Sequence, residues 1–340
     1  MRIAITADPE LPVPPLLYGG IERVIDMLVR GLVQRGHSVT LFAHGDSKVP
    51  CELVSYRGQS SGSRADTFAN MLDISRRVTG GDFDVVHSFG RIAYLLPLLP
   101  LTIPKLMTYQ REITPRSVRW GHRLSRGTLH FSAISNWMMD HVKDTGNWHL
   151  VYNGVPMHVY DFVPSVAPEA PLVFLGRIEQ IKGTHLAVKI ALQSGRRLVI
   201  AGNIPPGHET YFEQLIRPHI DGRQITYVGP VDDRQKNILL GSAAAFLMPI
   251  LWEEPFGIVM AEALACGTPV LGLRRGAVPE VVEHGVSGFV ADDMDDLVSA
   301  VRMLPTLDRR ACRARAQELF SDDAIVTAYE SLYTRLMQPS

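Results

Sequence analysis

The sequence of 340 residues predicts an α/β fold with two doubly wound parallel-sheet domains in series. Short apolar segments alternate with amphipathic stretches of helical period, which is typical of strand–helix–strand units. This alternation occurs once before and once after a proline-rich segment at residues 155–171, which resembles an interdomain linker. Each half is long enough to bury a hydrophobic core of its own.

The first half begins with a predicted strand at residues 2–7 and a helix at residues 20–35, whose apolar residues recur every three or four positions. Gly36 ends this helix, because glycine adopts the backbone conformation that commonly follows a helix. The next apolar segments predict strands at residues 38–43, 83–87, 104–109, 129–133 and 149–152.

The second half repeats the pattern after the linker. Strands are predicted at residues 172–175, 198–201, 225–228, 245–248 and 269–273, and helices begin at Thr184 and near residues 257 and 322. We therefore expect an N-terminal domain at residues 1–163, a C-terminal domain at 164–321, and a final helical segment at 322–340.

Composition excludes several classes of protein. A net charge of -1 disfavours nucleic-acid binding, which requires a basic excess. The cysteines, Cys51, Cys266 and Cys312, have no disulfide or zinc-site spacing, which favours a reduced cytoplasmic location. The first residues do not form a signal peptide, and no apolar run approaches 18 residues, so an integral membrane protein is not expected.

Two glutamates, Glu254 and Glu262, form the most informative pattern in the chain. Gly257 lies between them and begins a predicted helix that stops before Gly267. Free amides in the first turn of a helix favour a phosphate or a polar sugar edge. Ionised carboxylates only accept hydrogen bonds and suit a ligand rich in hydroxyl groups. The pattern predicts a sugar-nucleotide site; the alternative is an amphipathic helix with two solvated glutamates.

This segment resembles the Glu-x7-Glu motif of retaining family 4 glycosyltransferases. The resemblance extends over nearly the whole chain and implies the GT-B architecture, in which two Rossmann-like domains face a central cleft and the last helix packs back on the first domain. It implies that Glu254 contacts the donor sugar, with a catalytic role, and that Glu262 binds the ribose. The donor would also contact the amides of Phe256, Gly257, Ile258 and Val259.

Arg177 and Lys182 follow a predicted strand and precede a helix, which places them at the carboxyl edge of the second sheet. Ligands of open α/β sheets bind at that edge. Two cations there would neutralise the charge that builds up on a departing diphosphate. The segment resembles the family's Gly-Arg…Lys-Gly element, which implies that both residues hold the diphosphate and are catalytic; solvated loop cations are the alternative.

Four further loop residues are expected beside the donor. Gly19 and Gly20 precede the first helix, and glycine permits close approach of the backbone to a phosphate. In the family this loop faces the donor diphosphate. Asn203 and the backbone of Val231 follow predicted strands and border the nucleotide by position; turn structure is an equally weighted alternative.

His87 lies at the predicted exit of a first-domain strand and is a catalytic candidate that contacts the acceptor; a structural histidine is the alternative. Asp82 and Asp84 precede this strand, whereas the acids of a metal-binding Asp-x-Asp motif lie at a strand end. No metal and no other cofactor is therefore expected. The co-substrate would be a nucleoside diphosphate sugar.

Gln110, Arg111 and Glu112 follow the strand at residues 104–109 and are candidates for acceptor contacts. Many family members carry a histidine where Gln110 stands. Glutamine holds a hydroxyl group but does not act as a general acid or base near pH 7. Proton transfer then falls to His87, to Glu112 or to the leaving phosphate.

A basic face is predicted on a helix of the first domain. Its arginines recur at helical spacing around Trp120 and Leu124: Arg116, Arg119, Arg123 and Arg126. Such a face suits docking on anionic lipid at the inner side of a membrane, or contact with an anionic acceptor. An ordinary solvated helix face is the alternative.

These observations lead us to expect a retaining, metal-independent hexosyltransferase that uses a nucleoside diphosphate sugar, with uridine as the preferred base. Its hydroxyl acceptor, a sugar, glycolipid or small metabolite, is not identified by any motif. A sugar-nucleotide epimerase of the same architecture and a non-catalytic nucleotide-sugar binding protein remain alternatives. A nicotinamide-dependent dehydrogenase is disfavoured, because no Gly-x-Gly-x-x-Gly follows a strand.

Overall fold

The computed structural model describes residues 1–16 and 19–338 and divides into two compact units. The first unit comprises Met1–Gly154 and Asp322–Ser340, and the second comprises Val155–Ser321. The predicted boundary at residue 163 falls inside the second unit, where the amide of Val163 donates to the carbonyl of Cys266 at 3.1 Å. Residues 339 and 340 of the predicted final segment lie outside the described residues.

A parallel sheet forms the centre of the first unit. Its seven strands in the described residues are β1 (Arg2–Thr6), β2 (Ser38–Ala43), β3 (Glu52–Ser55), β4 (Val85–Ser88), β5 (Lys105–Tyr109), β6 (Leu129–Ala133) and β7 (Trp148–Leu150). They lie in the order β3-β2-β1-β4-β5-β6-β7. The order reverses between β1 and β4, so the loops after these two strands lie side by side at the carboxyl edge.

The helices of the first unit's N-terminal part are α1 (Gly20–Gln34), α2 (Arg64–Gly80), α3 (Pro115–Leu124) and α4 (Asn136–Asp140). Helix α1 buries one face, with Val24, Ile25 and Leu28 inside the core. Helix α2 begins where the hydroxyl of Ser63 accepts a hydrogen bond from the amide of Asp66 at 3.2 Å. These helices alternate along the chain with the strands of the sheet.

The second unit contains another parallel sheet. Within the described residues its six strands are β8 (Leu172–Leu175), β9 (Leu198–Ala201), β10 (Ile225–Tyr227), β11 (Ala245–Met248), β12 (Val270–Leu273) and β13 (Gly288–Ala291). Their order is β10-β9-β8-β11-β12-β13, which reverses between β8 and β11. The helices of this unit are α5 (Thr184–Ser194), α6 (Glu209–Leu215), α7 (Asp233–Gly241), α8 (Ile258–Ala265), α9 (Val278–Val281), α10 (Met294–Met303) and α11 (Arg309–Leu319).

The last helix, α12 (Asp322–Leu336), belongs to the first unit and packs on α1. Gly31 permits the close approach, because a Cβ added there would lie 2.4 Å from a methyl group of Val326. Arg35 at the end of α1 pairs with Glu330 at 2.7 Å and with Asp323 at 2.5 Å. Short 3-10 helices lie at Ile92–Leu98, Lys143–Thr145, Gln180–Lys182, Arg217–His219 and Leu304–Thr306.

The predicted fold class, two doubly wound parallel-sheet α/β domains, is confirmed. Strands β2, β6, β8, β9 and β11 have the predicted bounds. Two edge strands, β3 and β13, were not predicted. The residues of β3 are at least partly exposed and lack a continuous apolar run, and β13 begins with Gly288, which is a weak strand former.

Candidate functional site

Lys182 and Glu254 meet at the carboxyl edge of the second sheet. Lys182 ends the loop after β8, and Glu254 lies in the loop after β11, where the strand order reverses. The ammonium nitrogen of Lys182 lies 2.7 Å from Oε2 of Glu254. Both side chains are largely buried, with 18% and 11% of their surfaces exposed. The fold thus unites two residues that the sequence analysis predicted separately, and each balances the charge of the other.

Trp252 completes this ion pair. Its indole N–H donates to the same Oε2 atom of Glu254 at 3.0 Å. The ammonium group of Lys182 also lies 4.8 Å from the centre of the indole ring, which is within the range of a cation–π interaction. One carboxylate oxygen therefore receives two donors, and one aromatic ring contacts both charged partners.

The backbone of Glu254 is held by the loop after β12. The amide of Ala277 donates to the carbonyl of Glu254 at 2.8 Å. Gly276 precedes it with φ 53°, and a Cβ there would lie 2.2 Å from the same carbonyl oxygen. Only glycine fits this position without displacing the loop that carries Glu254.

Arg177 lies in the same loop as Lys182, closer to the end of β8. Its guanidinium pairs with Glu179 at 2.8 Å. Glu179 is largely buried, whereas the side chain of Arg177 is 38% exposed. The exposed guanidinium is accessible to an anion at this edge of the sheet, as the prediction for Arg177 requires.

Glu262, the second glutamate of the motif, lies within α8 and is almost fully buried. Its Oε1 atom accepts a hydrogen bond from the hydroxyl of Tyr160 at 2.6 Å and from the ammonium group of Lys236 at 2.5 Å. The ammonium nitrogen of Lys236 also lies 5.5 Å from the centre of the Tyr160 ring. Each motif glutamate is thus bound by one lysine and one aromatic donor.

The start of α8 lies between the two glutamates. Gly257 caps the helix with φ 76°, which favours glycine, and the amide of Met260 donates back to its carbonyl at 2.9 Å. The side chain of Phe256 is buried against Phe320, with ring centres 5.5 Å apart, so the donor prediction for Phe256 concerns its backbone. The amides of Ile258 and Val259 lie in the first turn, where no intrahelical acceptor exists.

Asn203 and Val231 follow neighbouring strands of the second sheet. Asn203 comes after β9 and is exposed, and its carbonyl accepts the amide of Ile178 from the loop after β8 at 2.9 Å. Val231 is half-buried and precedes Asp232, which caps α7. Because both residues follow strands of this parallel sheet, they lie at the carboxyl edge that carries Lys182.

Gly19 and Gly20 lie at the carboxyl edge of the first sheet, at the start of α1. Gly19 is buried, and a Cβ there would lie 2.7 Å from Oε2 of Glu22. Burial raises the pKa of the Glu22 carboxyl group. Burial likewise raises the pKa of Asp8 in the loop after β1.

The prediction that His87 contacts the acceptor is corrected by the structure. His87 lies within β4, one residue before its end, and its side chain is fully buried beneath α12. Its Nδ1 and Nε2 atoms hydrogen-bond to Tyr333 at 2.5 Å and to Thr108 at 2.6 Å. Burial lowers the pKa of His87 to about 3, which keeps the ring neutral. The side chain points into the core because it stands perpendicular to the sheet rather than along its edge.

The residues after β5 differ in their surroundings. The side chains of Gln110 and Asn153 exchange two amide hydrogen bonds, at 2.8 and 2.7 Å. Gln110 is half-buried, and Arg111 and Glu112 are exposed. Gln110 therefore has an orienting partner within the first unit, while its two neighbours are accessible from solvent.

The predicted basic face lies on α3 and the turn after it. The face comprises Arg116, Arg119, Trp120, Arg123, Leu124 and Arg126, all of which are exposed. Trp120 and Leu124 expose 56% and 51% of their surfaces. The opposite side of α3 buries Val118 and Gly121. Among the described residues, no acidic side chain pairs with these arginines.

Other features bear on metals and membranes. In residues 1–16 and 19–338, no group of three or more His, Cys, Asp or Glu side chains is placed to bind a metal ion. Metal independence itself stays a prediction. Over the same residues, none of the helices combines the length and the apolar character needed to cross a bilayer. The thiols of Cys266 and Cys312 are buried and unpaired with other cysteines.

Four residues of this site were not predicted from the sequence. Trp252 and Glu179 lie two residues from predicted site residues, and this proximity was a usable signal. Tyr160 and Lys236 lie 102 and 26 positions from Glu262, and no local pattern connects them to it. Only the folded chain brings them together.

Comparisons with known proteins identify the family of the chain. The model of the family described as Glycosyltransferase Family 4 matches residues 18–159, and that of Glycosyl transferases group 1 matches residues 164–318. N-acetyl-alpha-D-glucosaminyl L-malate synthase of Bacillus anthracis is 30% identical over 179 residues, which cover 48% of this chain and 45% of that protein. The chain spans about half the length of the first curated relatives that it matches.

Two solved structures have the same fold. AviGT4, a glycosyltransferase involved in avilamycin A biosynthesis, is 25% identical with a TM-score of 0.73, and the match covers 100% of this chain and 98% of AviGT4. Anabaena Alr3699/HepE, solved in complex with UDP-glucose, is 19% identical with a TM-score of 0.71, and the match covers 98% of this chain and 100% of HepE. The two family models together span nearly the whole chain, which therefore belongs to the group 1 glycosyltransferases of glycosyltransferase family 4.

Proposed function

We propose that the chain is a retaining hexosyltransferase that moves a hexosyl group from a UDP-sugar to a hydroxyl acceptor. The observation that carries this proposal is the pair of buried glutamates, Glu254 and Glu262, each bound to a lysine at the carboxyl edge of the second sheet. A buried carboxylate with a fixed orientation is suited to accept hydrogen bonds from the hydroxyl groups of a sugar. Family membership supports the same class of reaction.

In this proposal the second unit binds the donor. Lys182 and Arg177 contact the diphosphate, Glu262 accepts from the ribose, and Glu254 accepts from the transferred sugar. The first-turn amides of α8 add donors for the phosphate or the sugar. The diphosphate competes with Glu254 for Lys182, and Trp252 remains as a donor to the carboxylate when the lysine turns to the phosphate.

The reaction breaks the bond between the anomeric carbon and the diphosphate oxygen and forms a new bond from that carbon to the acceptor oxygen on the same face. The acceptor proton passes to the leaving phosphate oxygen, so the products are the glycoside and protonated UDP. Lys182 and Arg177 stabilise the negative charge that develops on the diphosphate. This route needs no protein base, which is compatible with Gln110 at its position and with a neutral, buried His87.

Uridine is our choice of base by analogy alone. The Anabaena protein HepE, which shares the fold, was solved with UDP-glucose. At 19% identity that likeness supports the fold and does not select the base or the hexose.

We place the acceptor on the first unit, where Arg111 and Glu112 are exposed beside the orienting pair of Gln110 and Asn153. The basic face on α3 combines unpaired arginines with exposed Trp120 and Leu124, a composition that favours anionic lipid surfaces. We propose that this face brings the protein to an anionic membrane.

A thermal-shift screen tests the proposed donor site. The purified protein is heated with UDP, GDP and ADP and with their glucose, N-acetylglucosamine and mannose conjugates, with and without EDTA. We expect one conjugate to raise the melting temperature in a manner insensitive to EDTA, and Glu262→Ala to remove the shift. If no nucleotide raises the melting temperature, the proposed donor site is wrong.

The screen also separates the two alternative functions when it is followed by product analysis. An epimerase would convert the bound donor with no acceptor present, and mass-neutral conversion is detected by chromatography of the sugar nucleotide. A non-catalytic binding protein would bind the donor and show neither transfer nor slow hydrolysis. A transferase releases UDP faster when the correct acceptor is added.

A further inference from the structure

Glu262 is held by two side chains from outside its own helix. The hydroxyl of Tyr160 and the ammonium group of Lys236 both donate to Oε1, at 2.6 and 2.5 Å. Within the described residues, every side-chain hydrogen bond of Glu262 ends at this one oxygen. Two donors on a single oxygen fix the plane of the carboxylate and leave Oε2 for other donors.

The two donors are themselves anchored. Tyr160 is 4% exposed, and its carbonyl accepts a hydrogen bond from Arg313 of α11 at 2.7 Å. The residues that follow Tyr160 and Lys236 in the chain, Asp161 and Asn237, also connect this segment to α7. The amide of Asp161 donates to the side chain of Asn237 at 2.9 Å. These contacts hold the backbone of Tyr160 in place, and burial of its ring restricts the side chain that donates to Glu262.

The charge of Glu262 is balanced locally. The side chain of Lys236 is only 12% exposed, and its ammonium group contacts both Glu262 and Asp233, the latter at 3.4 Å. Burying a charge is costly unless an opposite charge and hydrogen bonds compensate for it. Lys236 balances the charge of Glu262 within the site, and Oε2 is left to accept hydrogen bonds from a ligand.

We propose that Tyr160 and Lys236 are positioning residues that fix Glu262 for the ribose diol and thereby set a preference for ribonucleotides over 2′-deoxyribonucleotides. This inference rests on the proposed function, in which Glu262 binds the ribose. A site built to accept hydrogen bonds from a substrate hydroxyl rejects the analogue that lacks it, because its buried acceptor is left unpaired. The rejection is strong only when the acceptor cannot turn away.

The experiment compares the dissociation constants of UDP and 2′-deoxy-UDP by calorimetry for the wild type, Tyr160→Phe, Glu262→Gln and the double variant. ADP with 2′-deoxy-ADP and GDP with 2′-deoxy-GDP are measured alongside, and the base that binds most tightly is used. Tyr211→Phe is the matched control, because its hydroxyl hydrogen-bonds to His185 in the same unit at 2.7 Å and does not contact Glu262. Lys236→Met removes the second donor independently.

We expect the wild type to prefer the ribonucleotide by about tenfold or more, and Tyr160→Phe to reduce that preference about three- to tenfold by weakening ribonucleotide binding alone. Lys236→Met should act in the same direction, and Tyr160→Phe should add little in the Glu262→Gln background. Tyr211→Phe should leave the preference unchanged.

The outcomes separate this inference from the proposed function. If the wild type binds none of the nucleotides, the proposed donor site fails and this inference fails with it. If the wild type prefers the ribonucleotide and Glu262→Gln removes the preference, the ribose role of Glu262 holds. In that case, two results would overturn the positioning role. One is an undiminished preference for the ribonucleotide in both Tyr160→Phe and Lys236→Met, and the other is an equal loss of affinity for the ribonucleotide and the deoxyribonucleotide. If Tyr160→Phe does not fold, Lys236→Met decides the question.

Discussion

Lys182 and Glu254 form an ion pair in which the ammonium nitrogen lies 2.7 Å from Oε2, between the loops that follow β8 and β11. These strands are neighbours at the point where the order of the second sheet reverses, although the residues are 72 positions apart. Trp252 donates to the same oxygen, so the carboxylate has a second donor besides the lysine.

Replacing Lys182 by alanine should lower turnover about 10²- to 10³-fold at saturating donor, because a preorganised charge that stabilises the leaving diphosphate is lost. The measurement is the initial rate of UDP release with the identified donor and acceptor. Lys189→Ala is the control, since Lys189 is an exposed lysine on α5 of the same unit. More than about half of the wild-type rate in Lys182→Ala would show that the lysine has no catalytic role.

Gly276→Ala should destabilise the second unit by about 2 kcal/mol or more, because the added Cβ meets the carbonyl of Glu254 at 2.2 Å. Gly222→Ala is matched to it: φ is 70° there, but nothing lies within 4 Å of the added Cβ. Gly222→Ala should therefore lower the free energy of unfolding by only about 1 kcal/mol, because alanine is disfavoured in a left-handed backbone conformation. Urea unfolding of the two variants gives the difference, and equal losses would exclude the steric explanation.

His87→Asn should leave turnover near the wild-type value while lowering stability at neutral pH, because His87 is buried in the core. Steady-state rates and thermal melts of the variant test both parts. A large drop in turnover at unchanged donor affinity and stability would restore an acceptor role for His87. Loss of the hydrogen bonds to Tyr333 and Thr108 accounts for the expected destabilisation.

The same histidine predicts an acid sensitivity. Burial lowers the pKa of His87 to about 3 in the folded chain, below its ordinary value of 6.5. Below about pH 6.5 the unfolded chain binds a proton at His87 and the folded chain does not. The contribution of neutral His87 to the free energy of unfolding is therefore fully present above pH 6.5 and is lost as the pH falls towards 3. Between pH 7 and 5 the wild type should lose about 1–2 kcal/mol more free energy of unfolding than His87→Asn. Parallel losses would contradict the assignment.

Reversing the charge of Arg116, Arg119 and Arg123 together should weaken binding to phosphatidylglycerol vesicles about 10²-fold or more at low salt, since each cation contributes about 1 kcal/mol near an anionic surface. Vesicle co-sedimentation measures this, and phosphatidylcholine vesicles should not bind. The matched control reverses three exposed arginines elsewhere: Arg64, Arg76 and Arg223. Equal effects of both triple variants would indicate a general charge effect and exclude a docking face on α3.

Much of the fold could be predicted from the sequence. Buried strands such as β8 and β11 are continuous apolar runs, and their hydrophobicity marks their bounds. The edge strand β3 was not predicted, because it lacks such a run and is half-exposed. The sequence also singled out Lys182 and Glu254, because each lies in a short local pattern between a strand and a helix, and their role in a donor site stays a prediction.

The position of the His87 side chain could not be predicted from local sequence patterns. The apolar run places it near a strand end, yet a one-residue difference in the strand's extent decides whether a side chain lies at the edge of the sheet or on its face. The strand continues to Ser88, and α12 covers the face on which His87 lies. Tyr160 lies in a segment that resembled a linker and instead packs within the second unit.

The sequence by itself determined the succession of strands and helices, the two-sheet fold class and the positions of the motif glutamates, because these depend on residues close together in the chain. Only the tertiary structure decided the partners of those glutamates and the burial of His87. Hydrogen bonds and ion pairs such as Glu262 with Tyr160 and Lys236 form between residues that only chain folding brings within 3 Å. The period of a strand or helix carries no information about which distant donor will face it.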